Sequence, residues 1–211
     1  EALSRGLYPD KRHVIREFIQ NAYDGLYELR KYHPREPLRP IEVKVDPPSI
    51  CIADFGIGMP EKKMREYRYL GYSEKERTEQ AGFRGIGKYS GLAVAEKIIV
   101  DSSPYGVPER FQVVIHVGAM NEALSKDRNV PLERLLREFT ELNKAPASRD
   151  DHYTFVELHQ IHKDAEALFE DGVLREYLSR TAPIRLNPEF GFSSAIGQKL
   201  IENVPDFLAV D

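Results

Sequence analysis

From His13 to Tyr32 the chain reads HVIREFIQNAYDGLYELRKY, with Val14, Phe18, Ala22, Leu26 and Leu29 recurring every three or four residues. At about 100° per residue this spacing predicts one amphipathic helix with a continuous apolar stripe. Glu17, Asn21 and Asp24, at offsets of four and seven, fall together on a polar face beside that stripe. Alone, the same pattern also describes a surface helix whose acids and amide face water. Tyr32 to Pro40 carries three prolines in nine residues and reads as a loop. IEVKV at Ile41 to Val45 alternates apolar and charged residues, and SICIAD ends a second short strand at Asp54. From Pro60 to Leu70 the spacing is helical, with Pro60 at the first position. Gly71 to Gly82 is polar and glycine-bounded, the composition of a mobile loop.

The second half follows the same alternation. GFRGIGKYSGLAVA predicts glycines running into a helix with small residues on its packing side, and EKIIVDSS and ERFQVVIHVG predict a β-hairpin. VPLERLLREFTELN predicts an amphipathic helix with Pro131 near its start, NKAPASRDD a linker, and HYTFVELHQI a strand. Asp164 to Arg180 reads as a helix interrupted by Gly172, with Leu168, Val173, Leu174, Tyr177 and Leu178 on one side, and the last thirty residues read as irregular. Helices alternating with groups of strands give an α/β (α+β) two-layer sandwich, a mixed sheet with one face buried under helices.

Composition narrows the function classes. The 211 residues are 41% hydrophobic and 30% charged, enough for one globular domain or one domain and the start of another. A net charge of −4 gives no broadly basic field, so nucleic acid is not indicated as a partner. Cys51 is the single cysteine, which excludes an internal disulfide and a Cys-rich zinc site and suits a reducing cytoplasm. No apolar run approaches the roughly 20 residues of a membrane span. The first residue is not Met and ENVPDFLAVD is no evident stop, so the chain reads as part of something longer.

Two further stretches carry chemistry. Asp54-Phe55-Gly56-Ile57-Gly58-Met59 puts an acid at the end of an apolar strand ahead of Gly-x-Gly. Such an acid can enter a pocket while the glycines let a flat ligand approach the backbone, although Asp and Gly are also ordinary turn residues. Gly82-Phe83-Arg84-Gly85-Ile86-Gly87-Lys88 sets three glycines and two cations ahead of a predicted helix, an arrangement that can cradle phosphate. The same glycines can simply permit close helix packing. This stretch matches neither a Walker A loop nor the Rossmann fingerprint.

In this order the three stretches resemble the GHKL superfamily of ATPases, whose Bergerat fold is shared by type II topoisomerases, MutL proteins, sensor histidine kinases and the 90-kDa heat-shock chaperone. The resemblance covers about residues 10 to 160. It is nearest the chaperone through GxGKYSGLAVAEKIIV and through Leu70-Gly71 with Lys75, where the chaperone's lid begins; GFRG resembles the MutL version of the second glycine box. The resemblance implies a mostly antiparallel sheet and an ATP site holding Mg²⁺. Glu17 would be the general base, Asn21 the Mg²⁺ ligand, and Asp24 a lining residue. Asp54 would accept from the adenine amine, with Gly56 and Gly58 giving the base room and Met59 packing on it. Gly82, Phe83, Arg84, Gly85, Ile86 and Gly87 would wrap the phosphates, with Lys75 from the lid and Lys88 as further contacts. Thr154 would reach adenine through water, although Tyr153 stands where the family has glycine.

The resemblance further implies an ATP-binding domain over 1–180 and an extension over 181–211 toward a further domain. ATP would close the lid, in a larger chaperone-like protein that can dimerise with ATP and acts on client proteins. Turnover would be weak in this fragment, because relatives take a basic residue from a second domain. Other branches of the superfamily supply alternatives: phosphotransfer to a histidine, DNA maintenance, or a nucleotide switch that hardly turns over. Glu17 stands where a hydrolase places its base, which favours hydrolysis over phosphotransfer.

Overall fold

A computed structural model describes residues 10–69, 87–170, 177–178, 193–195 and 198–203. The first element, α1 (His13–Tyr32), has the bounds that the apolar period predicts. Val14, Phe18, Ala22, Leu26 and Leu29 are all buried on it. Arg30 and Lys31 oppose the helix dipole in its last turn, and His33 N closes the end on Leu29 O at 2.7 Å. The proline-rich loop then leads to β1 (Ile41–Asp46) and β2 (Ser49–Asp54), an antiparallel pair.

Next come α2 (Glu61–Arg65), a 3₁₀ turn (Glu66–Arg68), a 3₁₀ segment (Gly87–Ala93), β3 (Ala95–Ser103) and β4 (Glu109–His116). The chain continues through α3 (Val117–Lys126), α4 (Leu132–Glu138), β5 (Thr140–Pro146), β6 (Tyr153–Ile161) and a 3₁₀ segment (Lys163–Phe169) to β7 (Ser193–Ala195) and β8 (Gln198–Asn203). The strands form one sheet in the order β5-β4-β3-β6-β2-β1-β8-β7. Every pairing among the described strands is antiparallel, so the parallel component of a mixed sheet is absent there.

Register decides what each face carries, because neighbours in one cross-strand row share a face. One row runs Val43, Ile52, Val156, Val100, Val113, and all five are buried under the helices. The adjoining row, Lys44, Cys51, Glu157, Ile99, Val114, is partly or fully accessible on the other face. This is the two-layer sandwich expected from the alternation of elements.

Several elements differ from expectation. Gly87–Ala93 is 3₁₀ rather than α-helical, and it lies close on the sheet: a methyl on Gly91 would come within 2.8 Å of Ile98 Cδ1 and Leu158 Cδ2. The helix predicted over 130–143 stops at Glu138, and Thr140–Pro146 pairs with β4 instead. Val117–Lys126 is an unpredicted helix, and the last thirty residues, expected to be irregular, supply β7 and β8, the latter paired to β1. Pro60 sits just before α2 rather than inside it. Among the described residues no helix is long and apolar enough to cross a membrane.

Candidate functional site

The site begins with one more row of the same sheet. Asp54, Thr154 and Ser102 are consecutive partners across β2, β6 and β3, so register alone brings the three polar side chains together on the helix-covered face. Asp54 is 5% exposed and its Oδ1 accepts from Gly56 N at 2.9 Å, its single side-chain hydrogen bond among the described residues. Burial pushes its carboxyl up to about 8, against the opposing pull of the Gly56 N–H. A carboxyl so short of partners is costly in isolation and is poised to accept from a buried ligand donor.

Ser102 orders the neighbouring hydroxyls. Its Oγ–H donates to Tyr153 O at 2.7 Å and its oxygen accepts from Met59 N at 2.8 Å. Thr154 Oγ1 lies 3.0 Å from the same oxygen, and with the serine proton already used, the Thr154 hydroxyl donates. Its lone pairs therefore remain for a ligand or a water.

The loop after Asp54 is held against α1 by backbone. Ile57 N donates to Gly25 O at 3.0 Å, and a methyl on Gly56 would overlap Gly25 C and O and Leu26 N. Gly25 is itself within reach of Asp54: a methyl there would lie 3.2 Å from Asp54 Oδ1. Gly58 has φ +70° and a methyl on it would overlap Ser103 O, so both loop glycines are required by contact. Met59 packs against the core beside them. Phe55 turns to the opposite face, under the Arg39 guanidinium at 3.2 Å.

At the other end of α1 stands Glu17, with Oε1 accepting from Arg16 Nη1 at 3.0 Å. Its Oε2 would be 2.5 Å from a methyl on Gly87, which places the helix carboxylate against the start of the 87–93 segment. Asn21 lies one turn along, half-buried and without a side-chain hydrogen bond among the described residues. Glu17, Asn21 and Gly25 follow at four-residue intervals on one helix face. At 1.5 Å per residue they mark a line of about 12 Å from the carboxylate to the Asp54 loop. Asp24 is buried beside this line, its Oδ1 accepting from Gln20 Nε2 at 3.1 Å.

Lys88 directs its ammonium to Glu66 O at 2.9 Å and lies over the Tyr67 and Tyr89 rings; burial lowers its pKa. Tyr67 is buried and Tyr69 is exposed, and Tyr72 lies outside the described residues. Lys75, Gly82, Phe83, Arg84, Gly85 and Ile86 also lie outside them. No group of three or more His, Cys, Asp or Glu among the described residues could hold a metal ion.

Sequence reasoning missed Gly25 and Ser102. A glycine inside a helix costs about 1 kcal/mol relative to Ala, and that cost was the available signal for Gly25. Nothing in the local pattern distinguishes Ser102 from Ser103.

Curated relatives align with the same region. The chain is 29% identical over 128 residues to "Chaperone protein HtpG" of Verminephrobacter eiseniae, covering 50% of this chain and 19% of that protein. It is 32% identical over 118 residues to HtpG of Borreliella burgdorferi, covering 46% and 19%. It is 26% identical over 185 residues to "Heat shock protein 90-5, chloroplastic" of Arabidopsis thaliana, covering 76% and 23%. The matched part thus spans about a fifth of the length of these relatives. The family model for the histidine kinase-, DNA gyrase B- and HSP90-like ATPases matches residues 10–149, and the chain belongs to that family.

Proposed function

We propose that the chain binds ATP along α1, with adenine at Asp54 and the γ-phosphate near Glu17, and that it hydrolyses the terminal phosphoanhydride. The observation that carries this reading is the single helix face on which Glu17 meets Gly87 at one end and Gly25 meets the Asp54 loop at the other. Asp54 Oδ2 accepts from the adenine amine, Gly56 and Gly58 let the base approach the backbone, Met59 packs on the ring, and Thr154 contacts it through water. Glu17 orients a water and takes its proton as oxygen attacks the γ-phosphorus and the β–γ bridging oxygen leaves with ADP. Asn21 Oδ1 would hold Mg²⁺, with Asp24 fixed behind it through Gln20, and the ion would supply positive charge against the phosphates. The second glycine box, Gly82 to Gly87 with Arg84, wraps those phosphates, and Lys88 stands at its end.

The relatives named HtpG and heat shock protein 90-5 support a wider role. ATP closes a lid that starts at Leu70 and brings Lys75 to the phosphates, within a larger cytoplasmic, chaperone-like protein that dimerises with ATP and remodels client proteins. Turnover by these 211 residues alone is slow, because a basic group from a second domain completes the site. Glu17→Ala tests the core of the reading. ATP affinity, measured by calorimetry, stays within about threefold of the parent, and phosphate release falls about a hundredfold or more, the scale of a general base. Undiminished release by the variant places the base on another residue.

A further inference from the structure

A second cluster grips the Asp54 loop independently of α1. His152, next to the first residue of β6, places Nδ1 2.9 Å from Gly56 O, and because a carbonyl only accepts, Nδ1 carries the proton. The His152 ring lies 5.3 Å from that of Tyr105, which stacks on His33 at 3.9 Å and donates from its hydroxyl to Glu36 Oε1 at 2.6 Å. Tyr105 N also donates to Ile57 O at 2.9 Å. The 56–57 peptide is therefore held at both ends, its oxygen by His152 and its N–H by Gly25 O, and the following carbonyl, Ile57 O, is held by Tyr105 N.

Gly56 needs such restraint. It is the most permissive residue type in backbone conformation, and its own N–H orients the Asp54 carboxylate. We propose that His152 is a positioning residue for the purine end of the site: its Nδ1–H fixes the Gly56 carbonyl and so keeps Asp54 aimed at the exocyclic amine of the base. Selection of an amine-bearing purine then depends on a histidine that touches no ligand. This rests on Asp54 as the acceptor of the adenine amine.

The test titrates the 211-residue chain with Mg²⁺ and either ATP or purine riboside 5′-triphosphate, which keeps the ring and triphosphate but lacks the amine. The parent prefers ATP by about tenfold or more, as a hydrogen bond to a buried carboxylate provides. Asp54→Asn abolishes this preference. His152→Phe, which keeps a ring without a donor, lowers the preference about fivefold while affinity for the analogue stays within about twofold. His152→Asn, whose Nδ2–H can meet the same carbonyl, keeps the preference within about threefold of the parent. Equal loss of both ligands in His152→Phe, an unchanged preference there, or a folded His152→Asn without the preference overturns the proposal and leaves the Asp54 reading standing. Retention of the preference by Asp54→Asn overturns both.

Discussion

Asp54→Asn lowers ATP affinity about a hundredfold and removes a pH-dependence of stability that the parent carries. The first effect follows from oxygen count. Asp54 Oδ1 already accepts from Gly56 N, which leaves Oδ2 for the adenine amine. An asparagine has one oxygen: if it serves Gly56, its amide N–H faces the amine donor to donor. Above the value of about 8 to which burial pushes the carboxyl, where Asp54 is ionised, losing a charge-assisted bond and leaving a buried donor unpaired costs about 3 kcal/mol, and 1.4 kcal/mol is a factor of ten. Calorimetric titration measures it, and unchanged affinity removes Asp54 from the base-binding role.

The second effect follows from burial. The unfolded carboxyl titrates near 3.9, whereas in the folded chain burial pushes it up to about 8. Between those values the native state holds the proton that the unfolded state has released. The stability from this group is therefore complete below about pH 4 and is lost as pH rises to about 8, by about 5 kcal/mol over the window. Urea unfolding of the ligand-free chain should show a falling profile that Asp54→Asn flattens. Parallel profiles for the two proteins would mean that the carboxyl is better solvated than its 5% exposure indicates.

Gly56→Ala gives the next largest effect, and it acts on fold and site together. The added methyl meets Gly25 C and O and Leu26 N, all backbone atoms of a buried helix turn that no rotamer change can clear. Overpacking of this kind costs about 3 kcal/mol, which for a chain of this size lowers the melting temperature by roughly 6 to 12 °C. Because relief requires the Asp54 loop to move off α1, ATP affinity falls with stability. A thermal scan with and without ATP separates this result from tolerance: an alanine variant that melts with the parent would place slack between loop and helix.

The organising helix was legible in the sequence because its apolar residues repeat at the helical period and its core contact is a stripe. Asp54 was legible because β2 ends where the glycines begin. The missed elements lacked such local signals. Val117–Lys126 starts directly from β4 at His116, with no turn residue and no side-chain cap, although Val117, Met120 and Leu124 do face the core at helical spacing. Thr140–Pro146 is an edge strand, mostly polar on both faces, whose pairing rests on backbone bonds that leave little mark on side-chain pattern. Gly25 and His152 are meaningful through the Asp54 loop, which is distant in sequence from both, so no local window contains their reason.

The even four-residue cadence of Glu17, Asn21 and Gly25 makes α1 a ruler with no adjustable joint. One extra residue between Glu17 and Gly25 would advance one end by 1.5 Å and also swing it about 100° around the axis. The two termini of a bound nucleotide would then look out from different sides of the rod. Within these two turns, change is therefore confined to exchanging side chains at constant count.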